Sequence, residues 1–123
     1  LLSASEYHAG MDIANEPGAP VYATADGVVR YAGWASGYGL SMVGDHGFAI
    51  STLYGHCSEL TVKEGAQVKR GQVIGRMGST GTSTGTHLHY EVWLDGMPRN
   101  PIKYLEAVNK DSPLAGIFES MFN

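Results

Sequence analysis

The segment from His87 to Leu94 alternates polar and apolar side chains, which is the pattern of a β-strand with one buried face. On such a strand His87, His89 and Glu91 share one face. The residues of the opposite face are apolar and are expected to pack in the core: Leu88, Tyr90, Val92 and Leu94. Two neighbouring imidazoles on a rigid strand suit a bound metal ion, and a solvated strand face is the alternative that this spacing alone leaves open.

The composition favours one small β-rich domain. A chain of 123 residues can bury one core, and its 17 glycines divide it into short segments that favour strands and turns over helices. The net charge of −4 and the scattered basic residues argue against nucleic acid as a partner, and no apolar run is long enough to span a bilayer. The single cysteine, Cys57, excludes an internal disulfide and is expected to be a small buried hydrophobe.

Polar residues elsewhere in the chain could join the histidine pair. If the segment after Tyr7 is extended, His8, Gly10 and Asp12 share a face, and the missing side chain of Gly10 leaves space for a metal ion. A solvated edge strand is the alternative for this segment. His56 ends a predicted strand, where functional side chains are often found.

Turn signals predict the connections between strands. Asp26-Gly27 predicts a hairpin between two short strands, and Asp95-Gly96 predicts another after the histidine strand. The polar loop 79–85 leads directly into the histidine strand and is expected to border the site. A helix is predicted for residues 102–108, and residues 113–123 carry apolar side chains at helical spacing.

A turn is also predicted at residues 45–47, and its histidine, His46, is expected to be solvated and without a catalytic role. The segment 60–78 is predicted to contain very short strands joined by tight turns, because glycines interrupt it regularly.

The polar clusters together suggest a catalytic metal centre. A catalytic zinc ion typically has three protein ligands and an open fourth position. Three ligands drawn from His8, Asp12 and one member of the histidine pair would leave two histidines to handle protons or to stabilise an oxyanion. The spacing does not decide whether His87 or His89 binds the metal.

Three motifs resemble, in the same order, the signature motifs of the lysostaphin-like (LytM-type) zinc metallopeptidases: His8-Ala9-Gly10-Met11-Asp12-Ile13, Tyr54-Gly55-His56 and His87-Leu88-His89-Tyr90-Glu91. The connecting stretches are similar as well: 20–29, 68–75 and 78–81. The resemblance runs from about Tyr7 to Tyr104 and so covers most of the chain.

This resemblance implies an all-β, lipoyl-hybrid-like fold in which an antiparallel sheet of short strands forms the floor of a groove, loops form its walls, and a short helix ends the chain. It implies that Zn²⁺ is bound at His8, Asp12 and His89, and that His56 and His87 are catalytic without binding the metal. It implies an endopeptidase that cleaves stem-peptide cross-links or bridges of bacterial peptidoglycan, and hence a location in the cell envelope.

We further predict a metallopeptidase domain in residues 1–108 and a helical tail in residues 109–123. Family members usually have a strand and a loop before the first ligand, so we expect a fragment or a processed form whose missing groove wall comes from another segment or subunit. We also expect that another segment or a separate protein could inhibit or activate the site. Glu91 is expected either to support a metal ligand or to be purely structural, and the structural role is favoured.

Two alternatives come from other functional classes. Some proteins that resemble this family have lost their metal ligands, so an inactive or autoinhibited module that binds cell wall or activates a hydrolase is one alternative. The other is a lipoyl- or biotinyl-type carrier, which the short-strand pattern of residues 62–75 resembles. A carrier needs a lysine at the following hairpin tip, and residues 76–79 contain none.

Overall fold

The computed structural model describes the backbone of residues 2–4 and all atoms of residues 10–101. In this described part of the chain, ten β-strands make up one sheet, and every pairing between them is antiparallel. Their bounds are β1 Leu2–Ala4, β2 Gly10–Ala14, β3 Pro20–Tyr22, β4 Gly27–Ala35, β5 Gly39–Asp45, β6 Ile50–Leu60, β7 Gln67–Val68, β8 Val73–Met77, β9 His87–Leu94 and β10 Met97–Arg99. The predicted all-β antiparallel fold is confirmed.

The histidine strand, β9, lies in the interior of the sheet. The strand order is β1-β2-β9-β6-β5-β4-β7, with β10 paired to β9 and with β8 joining β3 to β6. In the register of these strands Asp12 is opposite His89, and Gly55 is opposite His89 from the other side. The sheet therefore brings residues from β2, β6 and β9 side by side, although they are far apart in the chain.

The core lies under one face of β9, as the alternation predicted. Leu88, Tyr90 and Val92 are completely buried. Met11 and Ile13 of the neighbouring strand β2 are buried with them. The side chains between these positions point to the opposite face of the sheet, where the polar residues collect.

Hydroxyl groups form a hydrogen-bonded cluster inside this core. Thr24 Oγ1 lies 2.8 Å from Tyr54 Oη and 3.0 Å from Tyr90 Oη. Thr52 Oγ1 donates to Tyr54 Oη at 3.0 Å and lies 2.6 Å from Nε2 of His46. Because each buried hydroxyl has a partner, these polar groups can be accommodated under the sheet without a desolvation penalty.

The hairpin predicted at Asp26-Gly27 is wrong. Strand β3 pairs with β8, whereas β4 pairs with β5 and β7, so β3 and β4 are not hydrogen-bonded to each other. Between them, Ala23 N–H donates to the Gln72 carbonyl and the Asp26 carboxylate accepts from the Arg70 N–H. These long-range bonds attach the segment between β3 and β4 to the turn 69–72, so no local hairpin forms there.

The second hairpin prediction is confirmed. Strands β9 and β10 pair directly, and both connecting residues have a positive φ, 55° at Asp95 and 74° at Gly96. This is the backbone that a two-residue hairpin turn requires. The short strands predicted within residues 60–78 are also present as β7 and β8.

Among the described residues, no helix has the length and apolar character needed to cross a membrane. The helix predicted for residues 102–108, the apolar tail 113–123 and the predicted domain boundary after residue 108 lie outside the described residues.

Candidate active site

An open groove of about 650 Å³ lies over the polar face of β9. Side chains of β2, β6 and β9 form its floor. The β4–β5 loop lines one side with Ser36, Gly37 and Tyr38, and residues 82–84 line another. The prediction that the polar loop before β9 borders the site is therefore confirmed.

The groove brings together four of the five residues that the sequence singled out: Asp12, His56, His87 and His89. Asp12 Oδ1 lies 2.9 Å from His89 Nδ1 and 3.6 Å from His87 Nε2. The fifth residue, His8, lies outside the described residues.

The space beside Gly10, which the sequence analysis assigned to a metal ion, is occupied by the His89 ring. A Cβ atom at this position would lie 2.5 Å from His89 Cε1 and 2.8 Å from His89 Nε2. Both distances are far shorter than ordinary contacts, so a side chain at Gly10 and the present ring position exclude each other.

The imidazole of His89 is fixed on three sides. Its Nε2 lies 2.7 Å from Glu91 Oε2, its Nδ1 faces Asp12, and the ring of Tyr38 stacks on it with centroids 5.6 Å apart. Burial lowers the pKa of His89, but the hydrogen bonds with Glu91 and Asp12 outweigh burial and raise the pKa above its usual value.

Glu91 makes three side-chain hydrogen bonds in the groove. Only 7% of the residue is exposed, and its carboxylate accepts hydrogen bonds from Tyr38 Oη at 2.8 Å and Trp93 Nε1 at 2.7 Å besides contacting His89. Burial works to raise the pKa of Glu91, yet the hydrogen bonds from His89, Trp93 and Tyr38 lower it below its usual value. Burial and the neighbouring carboxylate raise the pKa of Tyr38 to about 12, so its hydroxyl remains a donor.

His56 is held at the end of the groove floor by backbone contacts. Its φ is 63°, an unusual value for a residue other than glycine, and its N–H donates to the Tyr38 carbonyl at 2.7 Å. Its Nδ1 lies 2.6 Å from the Thr80 carbonyl, which can only accept, so Nδ1 carries the proton and Nε2 is free to accept one. Burial lowers the pKa of His56, which keeps the ring neutral near pH 7.

His87 has the same tautomer for the same reason. Its Nδ1 lies 3.0 Å from the Gly85 carbonyl and 3.2 Å from Ser83 Oγ, so its Nε2 is directed away from the loop. The rings of His56 and His87 are neighbours, with centroids 4.7 Å apart. The two imidazoles thus stand side by side in the groove, and the Nε2 of His87 lies 3.6 Å from Asp12 Oδ1.

Two of the three expected metal ligands are close to each other in the structure. Asp12 supplies a carboxylate oxygen and His89 an imidazole nitrogen, and both are donors that zinc accepts. Within residues 10–101, no group of three histidine, cysteine, aspartate or glutamate side chains is arranged to hold a metal ion.

Two residues outside the groove agree only partly with the sequence predictions. Cys57 is buried, and burial raises the pKa of its thiol to about 12, as expected for a small hydrophobe. His46 is not solvated as predicted: its Nδ1 contacts the Asp26 carbonyl at 2.8 Å and its Nε2 contacts Thr52. Burial lowers the pKa of His46, although the bond to Asp26 and the charges of Asp26 and Asp45 oppose this.

Tyr38 and Trp93 were not identified from the sequence. Trp93 follows Glu91 by two residues on the same strand, so its place on the groove face was available from the alternation. Tyr38 lies 53 positions before Glu91, in the β4–β5 loop, and no local pattern indicates that the two meet.

Curated relatives share this part of the chain. The DD-carboxypeptidase/endopeptidase Mpg of Neisseria meningitidis is 45% identical over 102 residues, which are 83% of this chain and 24% of Mpg. The murein hydrolase activator NlpD of Escherichia coli is 45% identical over 97 residues, 78% of this chain and 25% of NlpD. The chain thus spans about a quarter of the length of these relatives.

Solved structures have the same fold. The catalytic domain of the antimicrobial peptidase lysostaphin from Staphylococcus simulans superposes with a TM-score of 0.75 at 34% identity, covering 81% of this chain and 80% of that one. A zinc-containing peptidase from Vibrio cholerae superposes with a TM-score of 0.72 at 43% identity, covering 74% and 28% of the two chains.

Residues 6–101 match the model of Peptidase family M23.

Proposed function

The chain belongs to peptidase family M23, and on that premise we propose that it is a zinc-dependent endopeptidase that hydrolyses peptide bonds of bacterial peptidoglycan. The observation that carries the proposal is the convergence of Asp12, His56, His87 and His89 on one open groove. The substrate would place the protein in the cell envelope. Supporting this choice of substrate, one relative is named an endopeptidase and another an activator of murein hydrolases.

We propose His8, Asp12 and His89 as the zinc ligands. The 2.9 Å between Asp12 Oδ1 and His89 Nδ1 is close to the separation of two ligands bound to one zinc ion at about 2.0–2.1 Å. The place of His8 in the first motif supports its assignment as the third ligand. When bound, zinc supplies Lewis acidity toward a carbonyl oxygen and toward water.

His56 and His87 are the proposed proton-transfer groups. Each has a protonated Nδ1 bonded to a backbone carbonyl, so each can accept a proton at Nε2, which in His87 lies 3.6 Å from Asp12 Oδ1. An Nε2 atom that takes a proton from the attacking water becomes an N–H donor, which can stabilise a developing oxyanion or protonate the leaving amine. The ring centroids are 4.7 Å apart, so a charge on the His87 ring works against protonation of His56 and adds to the lowering of its pKa by burial.

The groove suits an extended peptide. It is open, and its described lining combines small and hydroxyl-bearing residues of the two loops with the aromatic rings of Tyr38 and Trp93. An extended peptide backbone can bind along such a surface.

The test is incubation of the purified chain with cross-linked peptidoglycan, with and without a chelator, followed by mass spectrometry of the released peptides. We expect chelator-sensitive release of peptides with a newly cut amide bond. No release from a folded, zinc-loaded chain would contradict the proposal.

The alternative function is an inactive module that binds cell wall or activates a hydrolase. The similarity to NlpD, whose name describes an activator, favours it. The intact motif residues Asp12, His56, His87 and His89 favour the enzyme instead. The two functions differ in metal content: an activator of this kind would stimulate a partner hydrolase without zinc, and the enzyme would lose its activity with its zinc.

A further inference from the structure

The carboxylate of Glu91 contacts the nitrogen of His89 that faces away from Asp12. The distance from Glu91 Oε2 to His89 Nε2 is 2.7 Å, and that from Asp12 Oδ1 to His89 Nδ1 is 2.9 Å. The two acidic groups differ in their surroundings, since the side chain of Asp12 is 46% exposed and that of Glu91 only 10%. Water can replace His89 as a partner of Asp12 far more easily than as a partner of Glu91.

Two further donors hold the Glu91 carboxylate in place. Trp93 Nε1 donates to Oε1 at 2.7 Å, and Tyr38 Oη donates to Oε2 at 2.8 Å. An ionised carboxylate only accepts hydrogen bonds, and an indole N–H only donates. In this arrangement Glu91 has no proton to offer, so His89 Nε2 donates to it. By the same argument His89 Nδ1 donates to Asp12 in the metal-free ring, and a zinc ion would take the place of that proton.

From this geometry we infer that Glu91, supported by Tyr38 and Trp93, is a positioning residue. It holds the Nε2 proton and the orientation of the His89 ring, so that Nδ1, on the side of Asp12, is the nitrogen left for zinc. The inference rests on the proposed function, in which His89 Nδ1 and Asp12 bind zinc. A histidine that binds a metal through one ring nitrogen is commonly oriented by a carboxylate on the other. Here the carboxylate is two residues further along the same strand, and the stacked ring of Tyr38 fixes the plane of the imidazole.

The variant that tests this is Glu91→Gln, which keeps the size of the side chain. A glutamine amide can donate to His89 Nε2 as well as accept from it, so the variant no longer selects the tautomer. We expect the zinc dissociation constant to rise roughly 10- to 100-fold, measured by competition with a chromophoric chelator. Nitrogen-15 NMR of the His89 ring in the zinc-loaded chain should show a single form with Nε2 protonated in the wild type, and a loss of that single form in the variant.

Tyr38→Phe is the second, milder variant. It keeps the stacked ring and removes one hydrogen bond to Glu91, so we expect zinc binding to weaken only about 2- to 10-fold. Thermal unfolding of the zinc-free variants shows whether they are folded. Because the NMR signature and the zinc affinity are both measured without substrate, they do not depend on hydrolysis.

The outcomes separate the two claims. If the wild-type chain binds zinc through His89 and Glu91→Gln binds it equally tightly with Nε2 still protonated, the positioning role is wrong and the proposed function stands. If the folded wild-type chain binds no zinc, or if His89→Ala retains it, the proposed zinc site is wrong and the positioning role is wrong with it.

Discussion

Replacing Gly10 by alanine tests whether the clearance beside His89 is needed for the site. The added Cβ would lie 2.5 Å from His89 Cε1, whereas carbon atoms in contact are normally about 3.5–4.0 Å apart. The ring would therefore have to move by about 1 Å or more, away from its 2.7 Å contact with Glu91. The φ of Gly10 is not in the left-handed region, so alanine meets no backbone strain that would complicate the result.

A displacement of this size should affect both the metal and the reaction. We expect Gly10→Ala to bind zinc roughly 10- to 100-fold more weakly, as when a supporting contact to a metal ligand is lost. Peptide release from peptidoglycan at saturating zinc should fall on the order of 100-fold, the typical cost of a 1 Å misplacement. The assays are competition with a chromophoric chelator for the affinity and mass spectrometry for the released peptides.

The matched control is Gly33→Ala, another exchange of glycine for alanine within a strand. There the nearest atom to the new Cβ would be Tyr31 Oη at 3.3 Å, which is the tip of a side chain that is 37% exposed and can shift. Gly33→Ala should bind zinc and release peptides like the wild type. Wild-type zinc affinity and hydrolysis in Gly10→Ala would refute the reasoning that the glycine sets the ring position.

Three further predictions concern the proton-transfer pair, a buried histidine and the hydroxyl cluster. His56→Ala should abolish peptide release and retain zinc, whereas His89→Ala should lose both. Zinc content is measured by elemental analysis and peptide release by mass spectrometry, and loss of zinc from His56→Ala would contradict these roles. His46 has a lowered pKa in the folded chain, so the unfolded chain binds its proton more readily below about pH 6.5, and stability is lost as the pH falls through this range. His46→Gln should therefore lose less stability than the wild type between about pH 7 and pH 5 in denaturant titrations, and equal losses would refute the assignment. Thr24→Val removes the described partner of the buried Tyr90 hydroxyl and should lower the free energy of unfolding by about 1–3 kcal/mol. Adding Tyr90→Phe should partly reverse this loss. An unchanged free energy of unfolding in Thr24→Val would contradict the role of the cluster.

Much of the site could be predicted because a strand repeats every two residues. That period placed His87, His89 and Glu91 on one face and the core residues on the other, and the structure agrees. The same argument placed Gly10 on this face and expected space for a metal ion there, whereas the structure fills that space with the His89 ring. The period does not predict which strands become neighbours. The expectation that Asp12 and His89 meet therefore rested on the resemblance to a family.

The failures of sequence reasoning share a physical cause, which is contact between distant segments. Asp26-Gly27 has the local chemistry of a hairpin turn, but backbone bonds to residues 69–72 compete with it and prevail. His46 has polar neighbours in sequence, but the fold packs it against Thr52 and the Asp26 carbonyl. The bond between Tyr38 and Glu91 likewise depends on how the β4–β5 loop lies over the sheet.

The register of β2 against β9 has a consequence for length changes in these strands. Asp12 and His89 are directly opposite, and each is flanked on its own strand by core residues. Inserting one residue before Asp12 in β2 would turn its carboxylate into the core and an apolar side chain into the groove, because successive side chains alternate faces. Inserting two residues would point the carboxylate into the groove again, but the aspartate would lie two residues further along β2, opposite His87 instead of His89. We therefore expect tolerated insertions to fall in the loops. Single-residue insertions inside β2 or β9 should abolish folding and zinc binding together.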